Sequence, residues 1–414
     1  MKKIKFGIIG VGHRGAMMLK DNLVHFDEFE FVALCDVYED RIEDAEKIIR
    51  ENRPDAPEIL KTTNYKEVLA SKNLDAVYVS SSWESHIEIA IAALRAGIAV
   101  ACEVGGAYSL EECFALVRAY EETGTPFMLA ENCCYDKSEL LATAMARAGK
   151  FGRIVHCSGA YAHDLREEIT HGNINRHYRL RNYTNRNCDN YPTHELGPIA
   201  KLLNINRGNR LVSLVSMASC ACGLEEYVKD KKLEEKDPTL KDRRFKQGDI
   251  VTTIIKCAQG ETITLTLDTT LPRSYDRAFT VRGTKGSYSM TTNTVYFDGM
   301  PELWSPVEYT QKNIDNAKEY EEEFLVPEWK NITEEDKKRG HGGMDGILFK
   351  KFIKNLQNGT PMDIDVYDAA SWMCISCLSE KSIAEGGAPQ EIPDFTGGKW
   401  LIREPRDVVE FNKK

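Results

Sequence analysis

The sequence predicts an α/β protein: an N-terminal doubly wound parallel sheet, followed by an α+β domain with a large, mainly antiparallel open sheet. Three observations carry that prediction. Residues 4 to about 135 alternate short apolar runs with helical patterns, a glycine-rich turn joins the first run to the first helix, and beyond Gly149 the runs lengthen and alternate polar with apolar residues.

The first run, Lys5 to Ile9, leads into Gly10-Val-Gly12-His-Arg-Gly15. Gly10 permits a tight strand-to-helix turn, Gly12 lets backbone approach a pyrophosphate, Gly15 lets the helix pack close to the sheet, and the helix N-terminus attracts phosphate charge. The second run ends at Cys35, and Asp36 follows, 21 residues after Gly15, where an acid bonds a ribose 2′-hydroxyl. Asp36 would repel a 2′-phosphate and no arginine follows it directly, so the dinucleotide is read as NAD and the domain as a Rossmann fold. Further parallel-type runs lie at Ala76 to Ser80, Ala99 to Glu103 and Phe127 to Ala130. Ser109 with Glu112 forms a capping box ahead of a helix over Leu110 to Thr123, and Gly97 and Gly124 stand where helices stop. Ligands of such sheets sit beyond the carboxyl ends of the strands. The cofactor candidates are therefore Gly10, Gly12, His13, Arg14, Gly15, Asp36, Ser81, Trp83, His86 and Glu103; Glu131 falls at the same edge.

After a helix ending at Gly149, alternating runs at Arg153 to Tyr161, Leu211 to Ser219, Ile250 to Cys257, Glu261 to Thr269 and Ala278 to Arg282 predict antiparallel sheet. The turn Gly283-Thr-Lys-Gly286 supports a meander with one face covered by helices. Two domains suffice, over residues 1–135 and 136–414. The highly charged stretches 225–249 and 300–340 read as surface insertions. An open antiparallel sheet exposes one face, which favours a homo-oligomer through the C-terminal sheet.

A net charge of -10 and a pI near 5.6 exclude the basic face that nucleic-acid binding needs. The chain enters its first strand without a secretory pattern and has no apolar run of membrane length, so a soluble cytoplasmic protein is expected. Of the twelve cysteines, Cys35, Cys102, Cys157 and Cys257 lie in strand patterns as small hydrophobes, and Cys133 and Cys134 follow a strand end. Cys374 and Cys377 form a C-x-x-C inside a helical pattern with no second pair at zinc spacing, so no metal is expected.

The segment Tyr161-Ala-His163-Asp-Leu-Arg166 leaves a strand and opens nearly thirty residues rich in Arg, Asn, His and Tyr. A loop of that length inside a compact domain is usually functional or disordered. Its far end, Tyr191-Pro-Thr-His194, starts a helix and puts Tyr191 and His194 on one face. Two Tyr/His pairs thus bracket one loop beside a nucleotide domain; the bland alternative is a buried aromatic with a satisfied histidine at each place. The sequence contains no G-x-S-x-G and no H-E-x-x-H.

The glycine fingerprint, the Glu103 strand end and the second-domain layout resemble the Gfo/Idh/MocA oxidoreductases, whose motif there is Glu-Lys-Pro. Here it is Glu103-Val104-Gly105, with valine where the dehydrogenases of that family carry a catalytic lysine. A closer resemblance is to glycoside hydrolase family 109, the NAD-dependent α-N-acetylgalactosaminidases, which carry Glu-Val-Pro. It rests on Arg14-Gly15, Leu129-Ala-Glu131-Asn-Cys-Cys-Tyr135, Tyr161-x-His163-Asp-Leu-Arg166, Tyr191-Pro-Thr-His194, Asn204-Ile-Asn-Arg-Gly208 and His341-Gly-Gly-Met-Asp345. Gly105 and Glu195 depart from that branch's usual proline and glycine. The resemblance implies redox-neutral hydrolysis of a carbohydrate: oxidation at C3 by NAD⁺, loss of the C2 proton, elimination of the C1 substituent, water addition and return of the hydride. It implies a tyrosine of lowered pKa as the C2 base, Tyr161 first and Tyr191 second, with His194 exchanging the C3 hydroxyl proton. His163 and Glu131 would orient sugar hydroxyls or assist the leaving group. The competing readings are an NAD-dependent sugar or cyclitol dehydrogenase and a non-catalytic NAD-binding sensor.

Overall fold

The computed structural model describes residues 3–301 and 312–411. The chain forms two compact units, residues 1–135 with 328–370, and residues 136–327 with 371–414.

The first unit holds β1 (Ile4–Ile9), β2 (Phe29–Cys35), β3 (Leu60–Thr62), β4 (Ala76–Val79), β5 (Ala99–Cys102) and β6 (Phe127–Leu129). They pair in the order β3-β2-β1-β4-β5-β6, every pair parallel. This is the doubly wound order whose direction reverses at β1 and β4, the place where such sheets take a dinucleotide. β4 and β5 are buried along their whole length, as continuous Ala/Val/Tyr/Cys runs require. The edge strand β3 has no signature in the sequence, because Leu60-Lys-Thr is three residues long and largely exposed. The capping box is present: the Ser109 side chain accepts from the Glu112 N–H, and Glu112 accepts from the Ser109 N–H.

Residues 328–370, which sequence reasoning assigned to the second domain, complete the core of the first unit. Their helix, Met344–Asn358, buries Ile347, Leu348, Phe349 and Phe352. Phe349 meets the rings of Tyr78 at 5.5 Å and Phe29 at 6.5 Å, and Phe29 stacks on Phe6 at 4.1 Å. The expected surface insertion over 300–340 is therefore only partly one. Residues 302–311 lie outside the described residues, while Phe324, Leu325 and Val326 are buried and the Trp329 indole donates to the Tyr135 carbonyl at 2.8 Å.

The second unit holds β7 (Ile154–Ala162), β8 (Leu211–Ala218), β9 (Ile250–Cys257), β10 (Thr262–Asp268), β11 (Thr280–Gly283), β12 (Gly286–Ser289), β13 (Thr294–Phe297) and the short β14 (Gln390–Glu391). Their order is β13-β12-β11-β7-β10-β9-β8-β14, antiparallel throughout except for the parallel pair β7 and β10. One face is apolar and buried, through Ile263, Leu265 and Leu267 of β10 and Val251 and Ile255 of β9. Helix Thr193–Leu202 covers β7 closely: a Cβ added at Gly159 would lie 2.8 Å from the Glu195 carbonyl oxygen. Helix Val366–Ala384 contributes Ser382, whose hydroxyl accepts from the Ser216 N–H at 2.9 Å. The segment between Tyr161 and Pro192 is not a bare loop, for it contains helices Arg166–Thr170 and Arg179–Asn185. No helix among the described residues is long and apolar enough to cross a membrane.

Candidate active site

The glycine turn has the geometry of a phosphate cradle. Gly10 has φ +95°, and a Cβ there would lie 2.5 Å from backbone atoms of Ser80 and Ser81; a Cβ at Gly15 would lie 2.1 Å from the Gly10 carbonyl oxygen. Neither position accepts a side chain, so bare backbone faces the N-terminus of helix His13–Asp21. Asp36 braces this turn from the end of β2: Oδ2 accepts from the Val11 N–H at 2.9 Å and Oδ1 from the Tyr38 N–H at 3.1 Å. Arg41 is a residue that sequence reasoning passed over, because it looked only directly after Asp36. Its guanidinium lies 3.8 Å from Asp36 and 4.8 Å from the Tyr38 ring centroid, and a Cβ at Gly12 would come within 3.1 Å of it. His13 is exposed at the first residue of the helix.

Arg14 and Glu103, named as cofactor candidates, are engaged in a partly buried charge network. Arg14 Nε donates to Glu103 Oε1 at 2.9 Å, and its two terminal nitrogens form a fork onto Asp345 at 3.0 Å each. The Tyr78 hydroxyl donates to Glu103 Oε1 at 2.5 Å, the Val104 N–H to Glu103 Oε2 at 3.1 Å, and Asn132 Nδ2 to Asp345 Oδ1 at 2.8 Å. His341 Nδ1 completes the chain, 2.8 Å from Asp345 Oδ2. Burial alone would raise the Asp345 carboxyl, but Arg14 and His341 overcome it and hold the group well below the usual carboxylate range. Burial first, and Glu103 second, push the Tyr78 phenol well above its ordinary value. The chain reaches this network through four successive left-handed residues, Gly340, His341, Gly342 and Gly343, with φ of 48°, 45°, 68° and 107°. A single non-glycine among them carries the side chain that bonds Asp345, and strain of this kind concentrates at functional sites. The partners of His341-Gly-Gly-Met-Asp345 were not legible in sequence, since more than two hundred residues separate Asn132 from Asp345.

The other candidates of this unit lie along the carboxyl ends of β4 to β6. Trp83 opens helix Trp83–Arg95 and explains the unusual Gly105: a Cβ there would lie 2.5 Å from the indole Cδ1. His86 Nε2 lies 2.9 Å from the Ser81 carbonyl oxygen, which only accepts, so that nitrogen carries the proton; burial lowers the imidazole pKa and keeps it neutral. Ser81 Oγ accepts from Ser85 Oγ at 2.9 Å. Glu131 is fully buried, and its Oε1 accepts from the Cys133 N–H at 3.0 Å, which caps the turn Asn132–Tyr135.

In the second unit the two Tyr/His pairs converge. The Tyr161 and Tyr191 ring centroids are 4.6 Å apart, Tyr191 and His194 are 4.7 Å apart, and Tyr161 and His194 are 5.5 Å apart, so the three rings form a triangle. Each of the three is buried. The end of β7 supplies Tyr161, the turn before helix Thr193–Leu202 supplies Tyr191, and the first turn of that helix supplies His194. His163 stands beside Tyr161, with Nδ1 3.4 Å from the phenol oxygen, and packs edge-on against Tyr275 at 5.2 Å. Arg179, buried and paired with Glu168 at 2.7 Å, lies over the Tyr191 ring at 5.1 Å. Neither Arg179 nor Tyr275 was picked out from sequence; the Arg- and Tyr-rich character of the segment after Arg166 was a signal for Arg179, and Tyr275 had none. One expectation is overturned. The Tyr161 phenol is not lowered: burial pushes it up to about 12, although the Arg179 cation opposes the rise. Burial first, then Arg179, lowers the His163 pKa, so His163 is a neutral imidazole at pH 7.

Residues 135–402 match the model of the glycosyl hydrolase 109 C-terminal domain. The chain belongs to glycosyl hydrolase family 109. Residues 4–131 match the NAD-binding Rossmann fold of the Gfo/Idh/MocA oxidoreductase family, and the cradle described above fits that cofactor. A family 109 protein of Stenotrophomonas maltophilia is 37% identical over 100% of this chain and 93% of its own length. An α-N-acetylgalactosaminidase of Tannerella forsythia is 37% identical over 97% of this chain and 88% of its own. Among solved structures, scyllo-inositol dehydrogenase of Lactobacillus casei with bound NAD(H) and scyllo-inositol superposes with a TM-score of 0.63 at 13% identity, covering 94% of this chain and 99% of that one. At that identity the likeness is one of fold. The family 109 enzyme class makes this chain an NAD-dependent glycosidase.

Proposed function

We propose that this family 109 chain hydrolyses α-N-acetylgalactosaminides by a redox-neutral route through C3 and C2 of the sugar. The supporting observation is the convergence of Tyr161, Tyr191, His194 and His163, groups that can each give or take a proton, in one cluster. The sugar is read from the name of the Tannerella forsythia relative. NAD⁺, when bound, would supply the hydride acceptor for C3 and the donor for its re-reduction. The cofactor is held at the turn Gly10 to Gly15 with Asp36 at the ribose, aided by Ser81, Trp83 and His86.

The raised pKa of Tyr161 sets how the base must work. A phenol at about 12 does not ionise by itself at pH 7, so it needs a neighbour to take its proton as it removes the one at C2. Neutral His163, 3.4 Å away, is that acceptor. Arg179 favours the transient phenolate through its positive charge. His194 exchanges the C3 hydroxyl proton, and Tyr191 orients the ring between them. Protonated His163 then gives that proton to the departing C1 oxygen, and water adds its hydroxyl to C1 and, through Tyr161, a proton to C2, which leaves both side chains as they began. The second unit's open face, with Met217 and Ile254 exposed on neighbouring strands, supports homo-oligomer formation, which light scattering checks.

The deciding experiment is proton NMR in D₂O with NAD⁺ and nitrophenyl α- and β-glycosides. Aglycone release with deuterium at C2 and no net NADH is the expected result. Accumulation of NADH without release would instead make the chain a sugar dehydrogenase despite Val104.

A further inference from the structure

Outside the sugar and cofactor residues, the carboxyl end of β8 carries a second group of ligating atoms. Cys220 and Cys222 follow β8 at a C-x-C spacing, and Asp249 immediately precedes β9. The antiparallel register of the two strands, Ala218 opposite Val251, brings these loop residues together. Cys220 Sγ lies 3.9 Å from Cys222 Sγ, Cys222 Sγ lies 3.2 Å from Asp249 Oδ2, and the three ligand atoms all fall within 4.8 Å of one another. A tetrahedral zinc with Zn–S near 2.3 Å and Zn–O near 2.0 Å needs S···S of about 3.8 Å and S···O of about 3.5 Å. The Cys220–Cys222 and Cys222–Asp249 separations match that demand to within a few tenths of an ångström, and the third pair lies within 4.8 Å.

The carboxylate is held as a metal ligand's outer shell requires. Asp249 Oδ2 accepts from the Cys222 N–H at 2.9 Å, Oδ1 accepts from the Thr270 hydroxyl at 2.6 Å, and the Gly223 N–H at 3.1 Å reaches both oxygens. The Asp249 N–H in turn donates to the Cys220 carbonyl at 2.9 Å. Gly223 has no alternative here, since a Cβ would lie 2.3 Å from the Thr270 carbonyl oxygen. Asp249 is buried while Cys220 and Cys222 are at the surface, so an ion can enter from solvent and find one fixed ligand.

We propose that Cys220, Cys222 and Asp249 form a three-ligand site for a thiophilic divalent cation of the zinc class, with water in the fourth position. The ion replaces the two thiol protons, which leave to solvent, and no electron moves. Its role is to clip the ends of β8, β9 and β10. β8 and β7 stand three strand spacings apart, roughly 14 Å, so the ion does not reach the reacting atoms at Tyr161.

The test uses the full chain, stripped with EDTA and kept reduced. Added Co²⁺ is expected to give a sulfur-to-cobalt charge-transfer band at one ion per chain, which Zn²⁺ abolishes, with release of two protons. Zinc should also protect two fast-reacting thiols from a disulfide reagent. The double variant C220S/C222S should lose the band with an unchanged circular dichroism spectrum and NAD affinity, and D249N should weaken cobalt binding by about tenfold or more. Absence of the band in the reduced parent chain, or its persistence in C220S/C222S, overturns the proposal.

Discussion

The two units hold their chemical groups by opposite means. In the first, side chains at the strand ends are fixed by charge: Arg14 is gripped by Glu103 on one side and Asp345 on the other, and Asn132, Tyr78 and His341 occupy the remaining lone pairs. In the second, Tyr161, Tyr191 and His194 are fixed by ring packing, and their polar atoms are aligned by a neighbouring imidazole and a cation over a ring. A buried, fully paired charge network fixes each of its groups in one charge state. Ring packing positions groups without committing their protons, which suits the proton-transfer role proposed for Tyr161 and His163.

Predictions that separate the two follow from the largest effect downwards. Replacing Tyr161 by Phe keeps the ring packing and removes the phenol oxygen, so turnover should fall by about 10² to 10⁴-fold with NAD affinity and melting temperature nearly unchanged. Nitrophenol release beside NAD titration reads both quantities, and a Tyr161→Phe enzyme with full turnover and full C2 exchange would remove Tyr161 from the base role. Asp345→Asn should show the opposite profile. It leaves Arg14 with one carboxylate instead of two, at a cost of roughly 3 kcal/mol, the lower end for a broken buried pair, because Arg14 is 26% exposed and keeps Glu103. Denaturant unfolding measures that loss, and NAD affinity should weaken by about tenfold; unchanged stability would show that the network is ornamental.

Gly105→Ala tests the packing that sets the Glu103-Val104-Gly105 strand end. Its new Cβ meets the Trp83 indole, so about 1–3 kcal/mol of stability should be lost, read from thermal melts with and without NAD. The smallest expected effect is a pH slope. His86 is neutral in the fold because burial lowers its pKa, whereas in the unfolded chain it titrates near the usual value of about 6.5. Below that value the unfolded state binds a proton that the folded state does not. Stability should therefore fall as pH drops from 7 toward 5.5, by at most about 1.4 kcal/mol per pH unit from this group. His86→Gln should flatten the slope of melting temperature against pH, and an unchanged slope would assign it to other groups.

Local pattern was enough for much of this molecule. Gly10, Gly12, Gly15 and Asp36 lie within one βαβ unit; the turn itself excludes a Cβ at Gly15, whereas Ser80 and Ser81, brought close by the pairing of β1 with β4, exclude one at Gly10. The apolar runs of β1, β2, β4, β5 and β6 and the alternating runs of β7 to β10 were likewise legible, because burial on two faces or one writes itself into composition. The exposed three-residue β3, the short β12 to β14 and the helices between Tyr161 and Pro192 were not, since each is too short to show a period and helix Arg179–Asn185 buries polar Arg179 and Asn182 beside Leu180 and Tyr183. Tertiary structure alone decided that residues 328–370 return to the first unit and that Asp345 neutralises Arg14. It also brought both Tyr/His pairs into one triangle and met Cys220 and Cys222 with Asp249. It set the protonation of the site as well: Tyr161 rises and His163 falls because both are taken out of water, with Arg179 opposing the first shift and adding to the second, a desolvation that no spacing in the chain encodes.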